Sequence, residues 1–304
     1  MLEFFILSIC FNIIFLVCYI FKYNKPENNI KIPKDPFKTK DESETKEFKM
    51  WSELNDPILM NLCGISGNKR TRRSRMNYEN LNKLNPLKNK KLWNFFELIT
   101  KENFISVKEF FETTEAFKTI QMKKGSLRCN SNCKEKILVE VAGGHCLFSA
   151  IVALVYPERF DRIIAIDLKR VEAFDKVMNC LRQISPVSAS KIEFKQEDIK
   201  KSQSICTGSV VVALHACGNL TDVIISISLK NQVNSLNLMG CCYRNCDAAK
   251  ECHPAIRNWA GERFASSITR TLKLQEHKYD VNWKFISTVI TPQNQVIIAV
   301  KDNK

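Results

Sequence analysis

The sequence predicts an α/β fold: a doubly wound, mostly parallel seven-stranded sheet finished by an antiparallel hairpin. Three observations carry this. Residues Lys136 to Asp167 read as an apolar strand, a glycine turn, a helix and a second apolar strand closing on an acid, which is one βαβ unit. Strand-like and helix-like periods go on alternating downstream. The chain then ends in two apolar runs joined by Pro292-Gln293-Asn294, the mark of a hairpin rather than of another crossover.

Each element has its own signal. Lys136 to Ala142, Arg162 to Asp167, Lys191 to Gln196, Ser209 to His215 and Ser235 to Cys241 are strand candidates. Between them, Phe148 to Tyr156, Arg170 to Ile184, Asn219 to Leu229 and a segment around Ile256 to Leu272 are helical. Trp283 to Thr291 and Gln295 to Lys301 are the two strands of the terminal hairpin. Upstream, Leu92, Phe95, Phe96 and Ile99, then Val107, Phe110, Phe111, Phe117 and Ile120, mark two amphipathic helices. They are expected to pack on the front of the main domain as core builders; a substrate lid is the alternative.

Four segments follow: an anchor at 1–22, a polar and basic linker at 23–91, a helical extension at 92–135 and the main domain at 136–304. Leu2 to Phe21 is nearly all apolar, and about 20 residues at roughly 1.5 Å each match a hydrocarbon core of about 30 Å. No basic stretch precedes it and no small-residue cleavage site follows, which speaks against a cleaved signal peptide. With Lys22 and Lys25 next, a single-pass N-terminal transmembrane helix holding the rest in the cytosol is expected. A buried core helix, or a tract read from a wrongly chosen start codon, are the alternatives. The net charge is +14, and Ser66 to Lys91 holds nine Lys or Arg against the single acid Glu79. Such a block suits nucleic acid, an anionic membrane surface or an acidic partner, or else is a solvated linker. The thirteen cysteines show no disulfide rhythm and read as free thiols in a reducing compartment.

The site candidates sit at strand ends. Ala142, Gly143 and Gly144 form a turn whose bare backbone can approach a ligand, and Asp167 stands where ribose hydroxyls can donate, or else forms a turn. Asp198 follows the third strand and can be a ligand group or a helix cap. In VVVALHACGNLTD, from Val210 to Asp222, His215 closes a buried strand, Gly218 makes a tight turn and Asn219 can cap the next helix. A neutral His215 imidazole facing a ligand could accept a proton; the alternative is a satisfied core histidine. Tyr243 could shape an acceptor pocket or cap the core. Cys242, Cys246, Cys252 and His253, or Cys129 with Cys133, lack paired CxxC knuckles, so no metal is expected.

Two stretches carry a resemblance. Glu140-Val-Ala-Gly-Gly-His-Cys146 resembles motif I of S-adenosylmethionine-dependent methyltransferases, with Cys146 where a third glycine often falls. The LHACG…LTD element and Gly240-Cys-Cys-Tyr-Arg-Asn-Cys246 resemble signatures of a class I methyltransferase superfamily that includes the tRNA acceptor-stem 2′-O-methyltransferases. The likeness spans about Lys136 to Lys301. It implies a Rossmann-like class I methyltransferase using S-adenosyl-L-methionine. Glu140, Ala142, Gly143 and Gly144 would hold the methionine and ribose region, Asp167 the ribose, Asp198 the adenine and His215 the methionine end. His215 and Asn219 would border the reacting centre as catalytic residues. RNA, with tRNA ribose foremost, is the acceptor implied, reached through residues 66–91. A protein or small-molecule acceptor, or a catalytically decayed binding protein tethered to a membrane, are the alternatives, the last favoured by Cys146. A dehydrogenase is disfavoured by the hairpin and the LHACG element.

Overall fold

The computed structural model describes residues 74–84, 87–240, 242–243 and 246–302. The expected anchor, most of the expected linker, and Arg70, Arg72 and Arg73 lie outside them. Among the described residues no helix is long and apolar enough to cross a membrane.

The chain begins with α1 (Tyr78–Asn82), α2 (Lys90–Glu102) and α3 (Val107–Gln121). Asn89 caps α2 by accepting from Leu92 N, and Ser106 with Glu109 forms a reciprocal capping box at α3. The linker reading to Lys91 is corrected here. Met76, Leu81, Leu84 and Leu87 are buried in the main core, and Arg75 pairs with Ser106 in a β-bridge. Four apolar residues scattered among Asn and Lys give no clear helical period, yet they suffice to seat this segment.

Then come β1 (Ile137–Val141), α4 (Leu147–Val155), β2 (Arg162–Asp167), α5 (Glu172–Ile184), α6 (Pro186–Ser190), β3 (Ile192–Gln196) and a 3-10 turn (Ile199–Lys201). They continue with β4 (Val210–Leu214), α7 (Asn219–Lys230), β5 (Ser235–Met239), α8 (Asp247–Glu251), α9 (Pro254–Glu276), β6 (Tyr279–Phe285) and β7 (Gln295–Lys301). The seven strands form one sheet in the order β3-β2-β1-β4-β5-β7-β6; the first five are parallel, and β7 runs antiparallel to both β5 and β6.

Both faces of β1, β2, β4 and β5 are buried along most of their length, which is why they read as largely apolar runs, whereas the edge strand β3 is half-exposed and carries Glu193, Lys195 and Gln196. Along β1, Leu138 faces a core built with α1 to α6, while Ile137, Val139 and Val141 face one built with the 3-10 turn, α7 and α9. Val210, Val212 and Leu214 against Val211 and Ala213 repeat that alternation in β4. Phe96, Phe110, Phe111 and Phe117 are fully buried, so α2 and α3 are core-building helices.

The hairpin is real but its first strand is displaced. β6 is Tyr279–Phe285 and pairs Phe285 with Gln295, leaving Ile286 to Asn294 as the connection. Ile286 and Ile290 look like strand residues because they are apolar; they are buried plugs that pack with Met239, Val296 and Ile298.

Candidate functional site

The strand order reverses between β1 and β4, so their connections leave on opposite faces, and their carboxyl ends are where sheets of this kind place a ligand crevice. At the end of β1, Ala142, Gly144 and Cys146 are left-handed (φ 54°, 54° and 55°), each followed by an ordinary residue. Glycine bears that conformation without strain; alanine and cysteine do not. They are held by backbone bonds, Ala142 N to Ile166 O at 2.8 Å and Cys146 N to Gly143 O at 2.9 Å. A Cβ on Gly143 would stand 2.9 Å from Glu140 Cδ and 2.8 Å from Cys146 Sγ, so no side chain fits there. A Cβ on Gly144 would meet nothing within 4 Å, so this backbone lies bare toward open space.

Asp167, at the tip of β2, accepts from Gly144 N at 3.1 Å and joins the second strand to the glycine loop. Glu197 N donates to Asp167 O at 3.0 Å, which places Asp198 on the same sheet edge. There Asp198 caps the 3-10 turn, accepting from Lys200 N at 3.0 Å. The structure thus brings Ala142, Gly143, Gly144, Asp167 and Asp198 to one edge.

Glu140 is different. It is 2% exposed, points toward α4 and accepts from Ser149 N at 2.9 Å and from the Ser149 hydroxyl. It holds the start of α4 under the glycine loop. Burial pushes its carboxyl from 4.5 up to about 7. Between those values the folded chain keeps a proton that the unfolded chain has lost, so stability falls as pH rises from about 4.5 to 7 and is flat above. The loss amounts to roughly 3 kcal/mol. Denaturant titrations at pH 5 and pH 8 should therefore show Glu140→Gln losing less stability than the parent over that interval, by about this amount.

His215 leaves β4 with φ 74°, its N–H donating to Met239 O at 2.8 Å. Its Nε2 lies 3.7 Å from Glu112 Oε2 on α3, and Lys108 Nζ grips Glu112 at 2.7 Å. Glu112 is 1% exposed. Burial lowers the His215 pKa, against the raising influence of Glu112. Beside it, His145 accepts at Nδ1 from Leu147 N at 3.1 Å, and burial takes its imidazole down to about 4. Burial also pushes the Glu109 carboxyl up, but bonds from Ser106 and the His145 imidazole outweigh it and hold the group below its usual value. The sequence reading missed Glu109, Glu112 and His145. The only signal for Glu112 was an acid directly after the Phe110-Phe111 pair, on a helix whose charges otherwise look like solvated surface.

The motif around Asn219 folds otherwise than expected. Gly218 (φ 56°), not Asn219, occupies the N-cap of α7. The exposed Asn219 side chain donates from Nδ2 to Asp247 Oδ2 at 2.6 Å and accepts from Asp247 N at 2.8 Å, tying the β4 turn to α8. Both ends of the amide are engaged in holding that connection. Arg270 from α9 completes the tie: it donates to both Asp222 oxygens (2.7 and 3.1 Å), to Gly218 O (3.1 Å) and to Cys246 Sγ (3.0 Å). Tyr243 is 7% exposed, and a Cβ on Gly240 would come within 3.1 Å of its hydroxyl, so Tyr243 caps the core. Cys217 is disulfide-bonded, which corrects the free-thiol reading there, whereas Cys146, Cys180, Cys206, Cys246 and Cys252 are free. Among the described residues no three His, Cys, Asp or Glu side chains are placed to hold a metal ion.

A family model described as a methyltransferase domain matches residues 107–249. That span runs from α3 through the glycine loop, both histidines and the start of α8, and the sheet it shares in is Rossmann-like, mostly parallel and seven-stranded. Similar solved structures include the methyltransferase domain of bacterial CtHen1-CN (8% identity, 55% of this chain and 90% of that chain, TM-score 0.38). Others are the fibrillarin pre-rRNA processing protein of Methanococcus jannaschii (11%, 60% and 71%, 0.40) and TrmK of M. capricolum in complex with S-adenosyl-homocysteine (14%, 64% and 69%, 0.34). No curated protein matches the chain.

Proposed function

We propose that this protein is an S-adenosylmethionine-dependent methyltransferase whose acceptor is RNA. The observation that carries the cofactor reading is the junction of Gly144 and Asp167 at the switch point: bare backbone beside a partly exposed carboxylate on one strand edge. Those residues fit an adenosine with its ribose on Asp167 and its adenine toward Asp198. The sulfonium cofactor supplies an already activated methyl group. The chain's own residues then need only to orient the acceptor, keep water out and take up a proton. Alignment of that kind lowers barriers by roughly 7–11 kcal/mol in favourable cases.

The RNA reading draws on the net charge of +14, the basic block at 66–91 and the tRNA-methyltransferase resemblance. With residues 2–21 as anchor, the enzyme would work at the cytosolic face of a membrane; carbonate extraction of cell membranes tests the anchor by leaving the full chain in the pellet.

Calorimetric titration of the full chain with S-adenosylhomocysteine tests the cofactor reading, and no binding would end it. Asp167→Ala should weaken that binding roughly 10- to 150-fold, the value of a charge-assisted hydrogen bond. Asp167→Asn, which keeps an acceptor for Gly144 N, should lose less. For the acceptor, tritiated methyl groups should enter the RNA of cells lacking the protein; label found only in the protein fraction would replace RNA with a protein acceptor.

A further inference from the structure

We propose that α9 and the carboxyl end of β6 form a stacking platform for the unpaired bases of single-stranded RNA, an inference that rests on the RNA reading above. Four of the chain's exposed large apolar side chains lie on these two elements: Trp259 (78% exposed), Phe264, Leu272 and Phe285 (50%). Phe264 stacks obliquely on Trp283, ring centroids 6.4 Å apart, and Trp283 is fixed by donating from Nε1 to Thr271 Oγ1 at 2.8 Å. Phe285 follows Trp283 at a spacing of two and so shares its face of the strand. Tyr279 packs with Leu274, and Trp283 meets Thr271 and Phe264, so strand and helix run antiparallel. Phe285 is therefore carried toward the break at Gly261 (φ 77°, ψ 166°), beyond which Trp259 stands out.

Position and charge name the occupant. β6 is antiparallel to β7 and β7 to β5, so β6 runs parallel to β5 and Phe285 ends at the same sheet edge as His215. A strand of acceptor lying on these rings would run toward the crevice. The α9 rings are interleaved with the cations Arg257 and Arg263, against Glu262 as the one acid between Pro254 and Phe264. Arg263 sits 5.3 Å over the Phe264 ring and donates to Pro292 O and Asn294 Oδ1, both at 2.8 Å, which locks α9 to the β6–β7 connection. Exposed π faces among fixed positive charges suit base stacking with phosphate neutralisation, whatever the sequence.

Anisotropy of a labelled twelve-nucleotide oligouridylate, measured on the full chain, tests this against an RNA hairpin duplex. Trp259→Ala and Phe285→Ala should each weaken oligouridylate binding about 5- to 150-fold, with duplex binding and S-adenosylhomocysteine affinity unchanged. Unchanged single-strand binding in both variants would overturn the platform. So would sedimentation showing that Trp259→Ala dissolves a dimer, since a second copy would then be the occupant. Failure of the parent chain to bind oligouridylate while binding S-adenosylhomocysteine overturns the platform and leaves the methyltransferase reading standing; failure to bind either removes both.

Discussion

Replacing His215 with alanine is expected to lower the rate of methyl transfer about 10²- to 10⁴-fold, the range spanned by general bases, while S-adenosylhomocysteine affinity stays within a few-fold. His215 stands at the end of β4, where the strand order reverses, and its positive φ turns it out of the strand rather than into the next one. Glu112, held by Lys108, lies 3.7 Å from its Nε2. A buried carboxylate so placed can orient the ring and steady the imidazolium that forms when a proton arrives. Burial keeps the imidazole neutral at pH 7, so it is ready to accept. The acid limb of the pH–rate profile should therefore fall below the ordinary value of 6.5. Glu112→Gln removes the main influence that raises the His215 pKa, so it should move that limb to still lower pH and depress the plateau. The pairing of effects separates roles. If affinity for S-adenosylhomocysteine falls in step with the rate, His215 is a cofactor ligand; if neither changes, it serves the fold.

What the sequence made legible was whatever depends on short-range pattern. The glycine turn, Asp167 and the central parallel strands were readable because backbone close to a ligand needs glycine and strands buried on both sides need largely apolar runs. The end of the hairpin was misplaced because burial and strand period look alike over a few residues: Ile286 and Ile290 are apolar as plugs, not as ladder positions. Glu140 illustrates a different limit. Its place before the glycines was legible, but not that its carboxylate faces Ser149 beneath the loop. Glu112 was invisible for a third reason. A helix carrying Lys108, Glu109, Glu112 and Glu115 reads as solvated on that face, and only the meeting of α3 with the end of β4 buries one of the four against a histidine.

The same limit explains Arg270, whose loss should bring the largest fall in stability. One guanidinium, 3% exposed, satisfies Asp222, Gly218 O and Cys246 Sγ, which lie 24 to 52 residues away in sequence. Nothing local marks it. Arg270→Ala leaves Asp222 without its cation and the carbonyl of the β4 turn without its donor, and breaking a buried pair in this way costs about 3–5 kcal/mol. Because Asp222 keeps some exposure (23% of its side chain), the lower end is expected. Denaturant midpoints would report it. The paired change Asp222→Leu with Arg270→Met should recover most of the loss, since matched apolar groups remove the desolvation cost along with the attraction. Affinity for S-adenosylhomocysteine should not recover in parallel. Arg270 fixes the turn that follows His215 and the loop that follows β5 to a single point, and apolar contacts lack the direction of its hydrogen bonds. A double variant that regained both stability and affinity would show that Asp222 and Arg270 act only as packing.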